Sequence, residues 1–234
     1  IILLAFGMLV GIGASTLVSI RLGEGAKAAA EKVLGNAFAL VVIIVIVISG
    51  LMLLNLDRIL IMLGAEPNVL PYARQFTSII LVGSIFMHLG FGLNNVIRAE
   101  GNPRTAMATM ILAMVLNTIL NPLFIFGLKL GIRGSALATV TAQFTAAVWV
   151  LAYFLGPRSV LKLRRSNLRL ESRIVKDIFK LGLSPFLMQL AASVITLLFN
   201  QSLLRCGGDI AVAAYGVINR VTMLMITPVI GVSQ

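Results

Sequence analysis

Seven runs of mostly apolar residues, separated by short polar joins, constrain this chain more than any other feature. They lie near residues 1–20, 33–56, 76–97, 107–128, 134–156, 182–204 and 211–234. A helix rises about 1.5 Å per residue, so about twenty residues cross a hydrocarbon core with every backbone hydrogen bond made inside the segment. Only 12% of residues are charged and 59% are apolar, with a mean hydropathy of +1.03. A domain that faces water carries roughly 25% charged residues. The expected fold is all-α, a polytopic membrane protein of about seven transmembrane helices. Gly23, Gly25, Asn102-Pro103 and Gly207-Gly208 supply turn chemistry at the joins.

The net charge of +11 is concentrated on one set of joins, so it argues for membrane topology and not for a nucleic-acid partner. Thirteen Lys and Arg lie in the loops near 21–32, 98–106 and 157–181, against five in the alternate loops. The richer face should be cytoplasmic, in a multi-pass protein of the inner (plasma) membrane. Residues 157–181 form the longest join, expected as a basic cytoplasmic linker lying against anionic headgroups, with Ile174, Ile178 and Leu181 as its apolar stripe. The chain opens at Ile1 within one apolar run and closes at Gln234 as another finishes. It therefore reads as part of a longer protein with further helices on both sides.

Buried polar groups in lipid need partners, so intramembrane polar residues are where chemistry is sought. Ser84, His88 and Asn95 share a face of the third run; Ser135, Thr139 and Gln143 follow at spacing four in the fifth. Gln189, Ser193, Thr196 and Asn200 form a helical stripe in the sixth. In the fourth, Asn117 and Asn121 sit one turn apart, and Pro122 deprives the Thr118 carbonyl of its helical donor. Amide and carbonyl oxygens are hard neutral ligands suited to a small cation or a hydrated pocket. Four polar-faced helices together point to a shared internal cavity, with Met87, Phe91, Met188 and Phe199 as an adaptable apolar wall. Gly7 and Gly11 form a small-xxx-small pair for close helix packing.

The eight acids all lie in joins or at helix ends, with no clustered acids or histidines at one depth, so an enzyme is not expected. A single cysteine, Cys206, and a single histidine, His88, exclude a disulfide framework and a multi-histidine metal site. No cofactor is expected.

Specific stretches carry a resemblance. These are Gly11-Ile12-Gly13-Ala14-Ser15 with Arg21-Leu22-Gly23, then Asn94 through Pro103, Asn117 through Gly127 and Gly131 through Thr139. Ala213-Ala214-Tyr215-Gly216 and Pro228 through Gln234 follow in order. Together they resemble the multidrug and toxic compound extrusion (MATE) family, across essentially the whole chain. The resemblance implies helices two to eight of twelve, and two six-helix bundles around a central cavity that opens alternately to each side. Residues 1–156 would be the amino-terminal lobe, 157–181 the inter-lobe linker, and 182–234 the start of the carboxy-terminal lobe.

Family positions for an amino-lobe cation site align with Asn117, Asn121 and Thr139, although some members have aspartate where this chain has Asn121. The segment Ser184 through Gln189, with Phe199-Asn200, resembles the bacterial multidrug members. It makes Met188, Gln189 and Asn200, with His88, the substrate-cavity candidates. The implied function is a monomeric antiporter exporting amphipathic, often cationic, drugs in exchange for H+ or Na+. The alternative is a flippase of a lipid-linked oligosaccharide, which would need several cationic residues in its cavity; only Arg220 lies within a span.

Overall fold

A computed structural model describes the backbone of residues 2–62 and 67–233, and their side chains except Ile2, Leu197, Asn200 and most positions after Leu203. The helices are α1 (Ile2–Gly23), α2 (Lys27–Leu54), α3 (Leu56–Met62), α4 (Leu70–Ala99), α5 (Pro103–Pro122), α6 (Gly131–Leu155) and α7 (Ser172–Ser233). A π-helical turn, Leu123–Gly127, follows α5, and a 3-10 turn, Arg165–Leu168, lies between α6 and α7. Among the described residues, six helices are long and apolar enough to span a membrane, the last being Ser172–Leu203. The seventh expected span falls in the part of α7 beyond Gly208, where the backbone is helical and most side chains lie outside the described set.

The joins follow their residue chemistry. Gly25 and Gly101 adopt φ of +72° and +88°, a region in which a Cβ is strained. Asn102 caps α5 by accepting the Thr105 N–H at 3.3 Å, with Pro103 next in the chain, where its missing N–H costs nothing. At Gly208 the backbone leaves the helix (φ 62°, ψ −161°), as the Gly207-Gly208 pair predicts. One element escapes periodicity: α3 adds seven helical residues after α2, holding Leu56 and Leu60 against Leu81 of α4.

Two compact units result, Ile1–Leu187 and Met188–Gln234. In the first, α1, α2, α4 and α6 enclose a core that includes Val18, Leu34, Leu93, Ile97 and Phe154. Lipid tails are as apolar as these side chains, so close approach of backbones sets the packing. The Gly7–Gly11 pair acts as expected: Gly11 stands against Gly92 of α4, and Gly7 against the His88 ring.

The three basic joins meet at one end of this unit, as the charge count groups them. Segment 157–171 is not a loose basic loop there. The Glu100 carboxylate accepts from Ser159 Oγ (2.6 Å) and from the Leu161 N–H. Glu31 accepts the Lys162 N–H at 3.2 Å and pairs with Arg164 at 3.5 Å. Asn36 accepts the Glu171 N–H at 2.8 Å and donates to the Arg169 carbonyl, while Lys32 pairs with Glu171. Leu161 and Ile178 are fully buried in the core, and Ile174 and Leu181 pack against it. Polar backbone near a dry core needs such partners, which side chains on α2 and at the end of α4 provide.

Replacing Glu100 with alanine removes two of these acceptor contacts at a cost of about 1–3 kcal/mol. Tryptic cleavage of the full-length protein at Arg158 and Lys162 should then accelerate on the order of tenfold or more, because cleavage follows the open population. An unchanged rate would show that the anchoring contributes nothing.

Candidate functional site

Most hydroxyls placed on the polar stripes by sequence bond a carbonyl of their own helix. Thr139 Oγ1 donates to the Ser135 carbonyl (2.9 Å), Ser193 Oγ to that of Gln189 (2.6 Å), and Thr196 Oγ1 to that of Ala192 (2.8 Å). Such back-bonding is ordinary for Ser and Thr in helices and needs no cavity. The amides carry more information, since each presents both a carbonyl and an NH2 group.

The structure brings Asn117 and Thr139 together. Asn117 Nδ2 donates to Thr139 Oγ1 at 3.1 Å, joining α5 to α6, and both side chains are half-buried. Asn121, one turn further along α5, is also half-buried and has no hydrogen-bond partner among the described residues. After Pro122 the helix widens into the turn Leu123–Gly127, with the Leu128 N–H donating to the Leu123 carbonyl. Gly134 at the start of α6 lies so close to Phe124 that a Cβ would meet its backbone at 2.7 Å, which seats this turn on α6. The site is neutral: amide oxygens, a threonine oxygen and no carboxylate.

His88 is 2% exposed and clamped between helices. Its Nδ1 lies 2.7 Å from the Ser84 carbonyl and its Nε2 2.8 Å from the Leu3 carbonyl of α1. A neutral imidazole has one N–H and can donate to only one of them. Below the ring, Ser84 Oγ donates to the Leu81 carbonyl and meets Ser49 Oγ of α2 at 2.8 Å. The histidine is thus part of the α1–α2–α4 contact and is separate from Asn117 and Thr139. In the second unit Met188 is exposed and Gln189 half-buried, while Phe199 and Tyr215 stack at 5.1 Å. The Asn200 and Arg220 side chains lie outside the described residues.

One residue was absent from the sequence candidates for a site. Asn94, 2% exposed, donates from Nδ2 to the Ala106 carbonyl at 2.9 Å, yet its Oδ1 has no partner among the described residues. It lines a cavity of about 130 Å³ between α4, α5 and α6, with Met87, Phe91, Thr109, Met110 and Gln143. An unpaired buried amide oxygen costs on the order of 1–3 kcal/mol, so it favours a ligand or water that can donate. Met87, Phe91 and Gln143 are here brought to one place. The only sequence signal for Asn94 is an Asn-Asn pair inside a span; which of the two faces inward depends on packing.

The family model MatE matches residues 1–123. The multidrug export protein MepA of Staphylococcus haemolyticus (strain JCSC1435) is 29% identical over 233 residues, covering 100% of this chain and 51% of its own length. MepA of Staphylococcus aureus (strain NCTC 8325 / PS 47) is 30% identical over 222 residues, or 92% of this chain and 48% of its own. The chain therefore spans about half the length of these relatives. An inward-facing multidrug resistance MATE transporter of the MOP superfamily superposes with a TM-score of 0.90 at 27% identity, over 98% of this chain and 52% of that one. A MOP superfamily transporter from Pyrococcus furiosus, described as having a binding pocket of reverse polarity, matches with a TM-score of 0.90 at 27% identity, over 98% of this chain and 51% of its own. A family model covering more than half of the chain, and helices that superpose on solved transporters almost end to end, place this protein in the MatE family.

Proposed function

We propose that the full protein is a secondary antiporter that exports amphipathic, often cationic, drugs in exchange for H+ or Na+ by alternating access. The observation that carries this reading is the neutral polar group Asn117–Thr139–Asn121, with Asn121 lacking a partner among the described residues. Ion binding there would favour one cavity state and drug binding the other, so coupling is a difference in affinity between two conformations. Gln189, Met188 and Asn200 would serve the drug side from the second unit, with the Met and aromatic side chains adapting to varied shapes. The relatives named as multidrug exporters support the cargo class. The protein would act as a monomer in the cytoplasmic membrane, with the joins near 21–32, 98–106 and 157–181 inside.

The test is ethidium efflux from pump-deficient cells expressing the full-length protein, with sodium and pH gradients imposed separately. Efflux that follows one gradient names the ion. No efflux with either, despite confirmed expression in the membrane, would overturn the drug-antiporter reading in favour of a lipid-linked sugar flippase or a narrow exporter.

A further inference from the structure

We propose that the groove between the start of α5 and the end of α6 binds an anionic phospholipid, whose phosphate sits between Arg104 and Arg158. The groove has a volume of about 770 Å³, with Val148, Trp149, Ala152 and Tyr153 among its lining residues beside the two arginines. Arg104 stands in the first turn of α5, and Arg158 follows α6 by three residues, at the same end of the unit. At this end Arg21 pairs with Glu24, Lys32 with Glu171 and Arg164 with Glu31, while several other basic side chains of the 157–181 join have no ion pair among the described residues and line no groove. Among the described residues neither Arg104 nor Arg158 has an ion pair, and no carboxylate lines the groove. Two exposed guanidiniums flanking one recess are complementary to a phosphodiester, which each can grip with paired N–H donors.

Below the arginines the wall turns apolar. Trp149 is 45% exposed and Val148 46%, six and seven residues before the end of α6 at Leu155. Trp149 therefore lies about 9 Å below the helix end, the depth at which an indole bridges headgroup and acyl chain. An acyl chain laid along Val148, Trp149 and Ala152 would cover this wall. A zwitterionic lipid brings its own cation and leaves the arginines less well matched. A second copy of the chain meeting this face through a two-fold axis would set arginines against arginines. Anionic lipid is the occupant that satisfies both ends. The inference does not depend on which ion or cargo the transporter uses.

The test uses the full-length protein in phosphatidylcholine vesicles doped with brominated lipid, which quenches nearby tryptophan. Subtracting the emission of a Trp149→Phe variant isolates Trp149. Dibromo-phosphatidylglycerol should half-quench that signal at a mole fraction on the order of tenfold lower than dibromo-phosphatidylcholine. Arg104→Gln with Arg158→Gln should bring the ratio near one, whereas Arg104→Lys with Arg158→Lys should keep most of it. Both positions are exposed, so folding should be preserved in either double variant. Equal quenching by the two lipids in the wild type would mean non-selective boundary lipid and overturn the proposal. No quenching by either, meaning a groove covered by protein, or a ratio unchanged in the double Gln variant, would overturn it too.

Discussion

Gly182→Ala is expected to prevent folded protein from accumulating in the membrane. A Cβ at Gly182 would lie 1.9 Å from the Leu9 carbonyl oxygen, and one at Gly13 would lie 2.2 Å from that of Ile178. These two glycines form a reciprocal crossing of α1 with the first turns of α7, where backbone meets backbone. A side chain could rotate away from such a clash, but a helical carbonyl cannot without parting the helices or breaking its own hydrogen bond. Overpacking of this kind costs about 3 kcal/mol or more, against a typical point substitution nearer 1. Parting the helices would also disturb Val10, Ala14 and Val18, which are all buried in the core. Gly50→Ala in α2 is the matched control, since nothing lies within 4 Å of its Cβ position. Relieved of glycine's backbone entropy, that variant should gain about 0.5–1 kcal/mol. Expression, size-exclusion profile and Tm of the purified full-length variants decide the matter. A Gly182→Ala protein as monodisperse and heat-resistant as the wild type would show that the crossing is looser than described.

Asn121→Leu should give the opposite pattern: normal expression and Tm with gradient-driven efflux reduced at least tenfold. Asn121 is half-buried without a partner among the described residues, so the substitution leaves none of them with an orphaned donor or acceptor. What it removes is an amide oxygen from the proposed ion site, and a lost ligand of this strength is worth about 1–3 kcal/mol, or roughly tenfold to a hundredfold in affinity. Asn117→Leu removes the bond to Thr139 as well, so it should lower both efflux and Tm. The pair of readouts separates an ion-site role from a packing role. Asn121→Leu with wild-type efflux would remove the amino-lobe ion site from the mechanism.

Helix periodicity was a reliable guide where the cause of structure was local and a poor one where it was not. Serine and threonine stripes suggested polar faces turned to a cavity. Several of their hydroxyls, those of Thr139, Ser193 and Thr196, bond the carbonyl four residues earlier, a bond that forms whether or not the face meets a cavity, so the stripe carries less information than its spacing implies. Asparagine resists that shortcut only in part. Asn95 donates to its own helix at Phe91, whereas its neighbour Asn94 reaches across to Ala106 and keeps an unpaired oxygen. Two identical residues side by side, and nothing in their sequence distinguishes them.

By itself the sequence determined where the apolar spans lie, though not their ends, together with the glycine and proline joins and the grouping of the basic joins at one end. Each follows from a requirement that acts within a segment: backbone hydrogen bonds must close inside lipid, φ must be permissible, and cations avoid one side of the membrane. Tertiary structure alone decided that Glu31 and Glu100 anchor a segment 131 and 61 residues away, and that His88 contacts Leu3 across 85 residues. It also decided that Arg104 and Arg158 share one groove. These contacts join residues far apart in the chain. They depend on which helix faces meet, and that is set by the fit of glycines against backbone, a property of pairs of helices that no single helix carries.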